Sequence, residues 1–300
     1  MCAMRYEDLQ RIEIDGWKYV VFEEQCSVGI LDGVVADGQK TLVLPESIEA
    51  NGEHLLVESV EMGAFYSVDS IEELVVPDCY TYIDNDAFHN CRNLKKVVIG
   101  GGMECYRYWS FAGCPIEEIV ISPNNPFIKV SDDGTMILSK NEYVLFSVIK
   151  DVPSIIIPEG VVEIDDCAIS CLNNLKSIAF PSTLKRISWN AIFELDGLEE
   201  LVIPEGVCRI GIQGLSHNHN LKILDLPSTL KNIGYEAIDG NVSLGVLILR
   251  SMDVVEIGKP PYKLPMDTCR LMVPSHLIQE YKSHPYWGRF KHIEPINDER

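Results

Sequence analysis

Few residues in this sequence could do chemistry, and their spacing limits them further. Cys167 and Cys171 form a CxxxC pair that could offer two thiolates to a metal. A structural zinc site draws four converging ligands, usually from two such pairs. No second pair stands at zinc-ribbon spacing, so metal binding is not expected. His217 and His219 flank Asn218 and could join a metal only with a partner from elsewhere. No carboxylate is placed by sequence to complete that site, and a solvated turn is the expected reading. Gly100-Gly101-Gly102 lacks the spacing and following helix of a dinucleotide fingerprint. Gly38-Gln39-Lys40-Thr41 ends like a phosphate loop, but no glycine directly precedes Lys40 and no long helix follows. The nucleophile elbow GxSxG, the zinc motif HExxH and a calcium loop are all missing. Asn241-Val242-Ser243 is a formal glycosylation sequon, meaningful only in a eukaryotic secretory setting. The expectation is a protein that is not an enzyme and takes no cofactor.

Composition bounds the partners. The 300 residues carry a net charge of -20, which excludes a polybasic nucleic-acid footprint. Hydrophobic residues make up 46%, enough for a continuous core and too many for disorder. No stretch approaches the apolar length of a membrane span. The first residues lack the apolar core of a signal peptide. The expected location is extracellular or cell-surface if a leader has been removed, and cytoplasmic otherwise.

The elements that position these residues come from a repeat. Prolines follow short β-branched runs at Pro158, Pro181, Pro204 and Pro227, each 23 residues after the last. Arg250 and Pro274 continue the series, and Pro77, Gly100 and Ser122 occupy the same slot upstream. A fixed period of this size signals stacked supersecondary units. Apolar slots recur in register: Ile83, Ile164, Ile187, Ile210 and Ile233 fill one. A small residue follows four positions later, as at Ala87, Ala168 and Ala191, and then a large apolar one, as at Phe88, Ile169 and Ile192. One unit cannot bury such a face alone, whereas a stack places each slot against its equivalents and makes a continuous core. Cys91 and Cys114 share one slot in successive coils, about 4.8 Å apart if stacked. Buried thiols in a ladder and a disulfide are both open there.

The pattern LxxLxIPxxVxxIxxxAFxxCxxL resembles the BspA-type leucine-rich repeat of bacterial proteins. Residues 74–99 fit it closely, with Ile83, Ala87, Phe88, Cys91 and Leu94 in place, and the resemblance covers roughly 42–274. It implies a leucine-rich-repeat solenoid: a right-handed stack of 23-residue coils with a short-stranded parallel sheet, capped at both ends. The expected organisation is an N-terminal β cap over 1–44, the solenoid over 45–274, and a C-terminal helical and aromatic cap over 275–300. Ser275 is expected to cap a short helix, with Trp287, Phe290 and Ile293 sealing the last coil. About 13 residues are added between Ser122 and Pro158, so an insert is expected near 123–152. Its apolar runs flank Asp133-Gly134, which predicts a projecting hairpin. It could form a side wall for a ligand or fold back to shield the core.

One surface feature is not required by the core. The middle residue of each strand triplet should point outward, toward the concave side. In order these are Val43, Val75, Val98, Val120, Ile156, Ala179, Val202, Asp225, Ile248 and Met272. All but Asp225 are apolar, giving a ribbon that is either a contact surface or a simple consequence of strand preference. Tyr108, Trp109 and Trp189 should face solvent or the insert. The function expected is a non-catalytic scaffold binding a protein partner through Val75, Val98, Val120, Ile156, Val202 and Ile248. Family resemblance adds host- or surface-associated adhesion. The alternative is glycan or small-molecule recognition between the insert and the concave face, with Tyr108, Trp109 and Tyr143 as contacts.

Overall fold

The computed structural model describes residues 9–23, 26–104, 109–258 and 263–296. They fall in two compact units, Met1–Asn141 and Glu142–Arg300. Each unit is a β-solenoid whose coils stack at the 23-residue period read from the sequence.

In the first unit the strands Thr41–Val43, Glu73–Val76, Lys96–Ile99 and Glu118–Ile121 form one parallel sheet. Leu42, Leu74, Val97 and Ile119 point inward and are buried. Behind them Phe65, Phe88 and Phe111 stack face to face, with ring centroids 4.8 and 5.5 Å apart. Trp17 closes this aromatic column edge-on, 5.7 Å from Phe65. It is carried by an N-terminal hairpin, Arg11–Ile14 with Trp17–Phe22, which turns at Asp15 and Gly16 with φ of +51° and +83°. Gly33 is required beneath this cap, because a Cβ there would lie 2.2 Å from the Phe65 ring.

The insert hairpin pairs Ile128–Val130 with Met136–Ser139 across the Asp133-Gly134 turn. Ile128, Met136, Ile137 and Leu138 are all buried, so the hairpin folds back and shields core. Buried Asn125 fixes its entry: the side-chain amide donates to Gly100 and Met103 carbonyls, and its oxygen accepts from Phe127 and Ile128 N–H.

In the second unit each coil supplies up to three short parallel ladders rather than one. Ile164, Ile187, Ile210, Ile233 and Ile257 pair in sequence along one. Ile169 pairs with Ile192 on another, and Ile155 with Ile178 on a third. The carboxylate of Glu159 accepts from the Ser182 N–H and hydroxyl, at 2.9 and 3.0 Å. Glu205 and Ser228 repeat this lock two coils on, at 2.9 and 2.8 Å.

The C-terminal cap carries a 3-10 turn at Ser275–Leu277 and an α-helix at Ile278–Ser283. Ser275 does not cap it: neither helix start has a side-chain cap, and the turn opens directly after Pro274. Burial of Leu277, Tyr281, Trp287 and Phe290 holds the cap in place instead. Ile293 lies on a further strand, His292–Pro295, that extends the sheet parallel to Arg270–Val273.

Candidate interaction site

Successive coils place the outward residues in direct register. Val43 pairs with Val75, Val75 with Val98, and Val98 with Val120. Parallel strands stand about 4.8 Å apart, so this is a continuous apolar row across the first unit's sheet. Val43 and Val120 are 57% and 39% exposed, and Val75 and Val98 are half-buried. Val75, Val98 and Val120 line a depression of about 550 Å³. Its other walls come from the loops after the strands, with Glu46, Pro77, Asp78, Cys79, Gly100 and Ser122. Gly100 is there for packing, since a Cβ would meet the Pro77 carbonyl carbon at 2.5 Å.

The two ends of these strands differ electrostatically. At their start, Lys40 pairs with Glu72 at 2.7 Å, Lys96 with Glu73 at 3.0 Å and Lys95 with Glu117 at 2.9 Å. At their finish, Glu46 and Asp78 have no cation partner among the described residues. Asp78 Oδ1 accepts the Gly101 N–H at 2.5 Å. Burial, followed by the negative charge of Glu46, Asp78 and Glu58, pushes the Cys79 thiol up.

In the second unit the outward row is less uniform. Ile156 and Val202 are 75% and 50% exposed, while Ile248 and Met272 are half-buried. Val202 pairs with Asp225 and Asp225 with Ile248. Asp225 is gripped by Arg250 through two bonds of 2.7 Å, so a charge pair divides the apolar residues. The aromatic contacts expected around the insert fall in different units or outside the described residues. Tyr108 lies outside the described residues. Trp109 is half-buried in the first unit, and Tyr143 is 54% exposed in the second.

The structure gives the chemical candidates structural roles. Seven coils each contain two left-handed residues four positions apart, with φ between +48° and +74°. The pairs include Asp86 and Asn90, Asn190 and Glu194, and Gln213 and His217. Cys167 and Cys171 are another such pair, so their spacing is conformational. Cys91 and Cys114 are free thiols that donate to the Phe65 and Phe88 carbonyls at 3.2 and 3.0 Å. His219 is exposed in a turn, as expected, whereas His217 is half-buried. His219 Nδ1 lies 3.0 Å from Asp196 Oδ1, a carboxylate placed 23 residues upstream by the repeat. The His217 ring packs against Phe193, centroids 5.2 Å apart. Among the described residues no group of three His, Cys, Asp or Glu is arranged to hold a metal ion. Asn241 of the sequon is fully buried and its amide is bonded to the Leu215 and Ile238 carbonyls. No helix among the described residues is long and apolar enough to cross a membrane.

The model of the BspA type leucine rich repeat region matches six copies over residues 46–131 and 141–260. No curated protein sequence matches the chain. Among solved structures, the pneumococcal vaccine antigen PcpA is similar over 97% of this chain and 99% of its own, with TM-score 0.51 and 15% identity. A leucine-rich repeat protein from Eubacterium ventriosum is similar over 94% and 91%, with TM-score 0.51 and 16% identity. One from Bacteroides ovatus is similar over 95% and 76%, with TM-score 0.50 and 17% identity. These likenesses are of fold.

Proposed function

We propose, from the premise that this chain belongs to the BspA-type leucine-rich repeat family, that it is a non-catalytic scaffold holding a protein partner on the first unit's outward sheet face. The observation that supports this reading is the depression lined by Val75, Val98 and Val120. Those side chains keep no core in place, since the buried residues of the same strands alternate with them. Covering apolar surface stabilises a complex by roughly 25 cal/mol per Å² before association costs are subtracted. A row of valines in register therefore offers a partner a favourable surface at no cost to the fold. Ile156, Val202 and Ile248 belong to the second unit and do not line this depression. Adhesion to a host or display at a surface is the finer form of the same proposal, and the family resemblance is its support.

The test is selection of binders from a displayed random-peptide library, followed by titration against variants. Val98→Arg and Val120→Arg should abolish binding of the selected peptides while melting temperature stays unchanged. Undiminished binding by both variants would sink the reading.

A further inference from the structure

We infer that the occupant of this depression is an extended protein segment in which apolar side chains alternate with Lys or Arg. The inference rests on the proposed function, because it names the partner for the same face. Three observations carry it.

The first is shape. Val75, Val98 and Val120 run across three neighbouring strands, an apolar row on the order of 10 Å long at about 4.8 Å per strand. An extended segment rises about 3.3 Å per residue and presents alternate side chains to one side, so two apolar side chains span such a row. The second is charge. Every lysine at the start of these strands is already paired, whereas Glu46 and Asp78 at the finish have no cation partner among the described residues. A segment lying along the boundary between the valines and the loops turns its apolar side to the valines and its opposite, cationic side to these carboxylates. The third is exclusion by net charge. At -20, a second copy of this chain or an anionic lipid surface would be repelled.

The experiment uses the full chain and three synthetic nine-residue peptides alternating Val with Lys, Ser or Glu. Binding is read by fluorescence anisotropy at low and high salt. The Lys peptide should bind best and weaken as salt rises, because exposed charges are screened. Glu46→Gln with Asp78→Asn should weaken it about fivefold, since an exposed pair typically contributes a factor of a few. That variant should also remove much of the salt dependence. Val75→Ser with Val98→Ser should weaken Lys and Ser peptides alike. A control, Asp253→Asn with Glu280→Gln in the second unit, should leave binding unchanged.

Equal binding of Lys and Ser peptides, both lost in the valine variant, would overturn the inference while leaving the proposed function intact. Lys-peptide binding that is untouched by the valine variant would overturn both, since overall charge would then be the attraction.

Discussion

The main-chain N–H of Asn218 donates to the side-chain oxygen of Asn241 in the next coil, 3.0 Å away. The Asn218 side chain repeats the act one coil down, accepting the Leu195 N–H at 3.0 Å. Each amide also donates across 26 residues, Asn218 to the Ile192 carbonyl and Asn241 to the Leu215 carbonyl. Cys91 and Cys114 hold the same slot in the first unit and donate across the same 26 residues, to Phe65 and Phe88. At these four positions the slot supplies a donor to a main-chain carbonyl, and thiol and amide are two ways of doing so.

Asn241→Leu tests this directly. Leucine occupies the same slot at Leu172 and Leu195, so volume is tolerated. The substitution nevertheless strips the Asn218 N–H and the Leu215 and Ile238 carbonyls of a partner. An unsatisfied buried group costs about 1–3 kcal/mol, so a loss of roughly 3 kcal/mol is expected in urea unfolding. A loss under about 0.5 kcal/mol would mean the ladder contributes packing alone.

The left-handed conformation of Cys167 and Cys171 leads to two predictions. Cys171→Gly should be neutral or stabilise by up to about 1 kcal/mol, because glycine adopts that backbone without a Cβ clash. Zinc should not raise the melting temperature of the parent protein. A zinc-dependent rise that Cys171→Gly abolishes would restore a ligand role.

Thiol reactivity should separate by environment rather than by exposure alone. Cys171 reaches solvent, but burial of its sulfur and the neighbouring Glu194 carboxylate push its thiol up to about 11. Cys167 is pushed up to about 12, by burial first and the Asp166 carboxylate next. Near pH 8 iodoacetamide should modify exposed Cys26 and Cys208 well before Cys171. Glu194→Gln should speed Cys171 and shift its pH–rate curve downward. Equal rates at all three sites would contradict the assigned environments.

Glu205 should give the fold an acid-sensitive component. Burial opposes its ionisation, but the Ser228 N–H and hydroxyl, the Thr229 N–H and the Arg250 charge hold its carboxyl below the ordinary 4.5. A depressed folded value stabilises fully above the unfolded value and loses that contribution as pH falls through the folded one. Urea midpoints should therefore decline below about pH 4.5, with a shallower decline in Glu205→Gln. Superimposable profiles would show that Glu205 contributes nothing to acid sensitivity.

The period, the core slots and the outward register were all legible in the sequence, because parallel stacking makes position in the repeat equivalent to position in space. Val43, Val75, Val98 and Val120 pair as the arithmetic requires. What was hidden depended on backbone conformation. Nothing in the types of Asp86, Trp109, Cys167 or Glu236 announces a shared left-handed slot, since the slot fixes the backbone and the side chains vary. The partner of His219 was missed for a different reason. Asp196 lies one period upstream, visible only when polar residues are aligned along with apolar ones. The Asn51-Gly52 turn between Ser47–Ala50 and Glu53–Val60 carries the strongest short hairpin signal in the chain and was readable without the structure. The depression was not readable, because it depends on how the loops after three strands close around the valines.

Hydrogen exchange on the complex with the tightest selected peptide addresses the central claim most directly. A partner seated on the first unit's valine row predicts added protection at residues 41–46, 73–79, 96–100 and 118–122, with the second unit's strands at 154–156 and 200–202 unchanged. Protection confined to the second unit, or spread evenly over the chain, would contradict it.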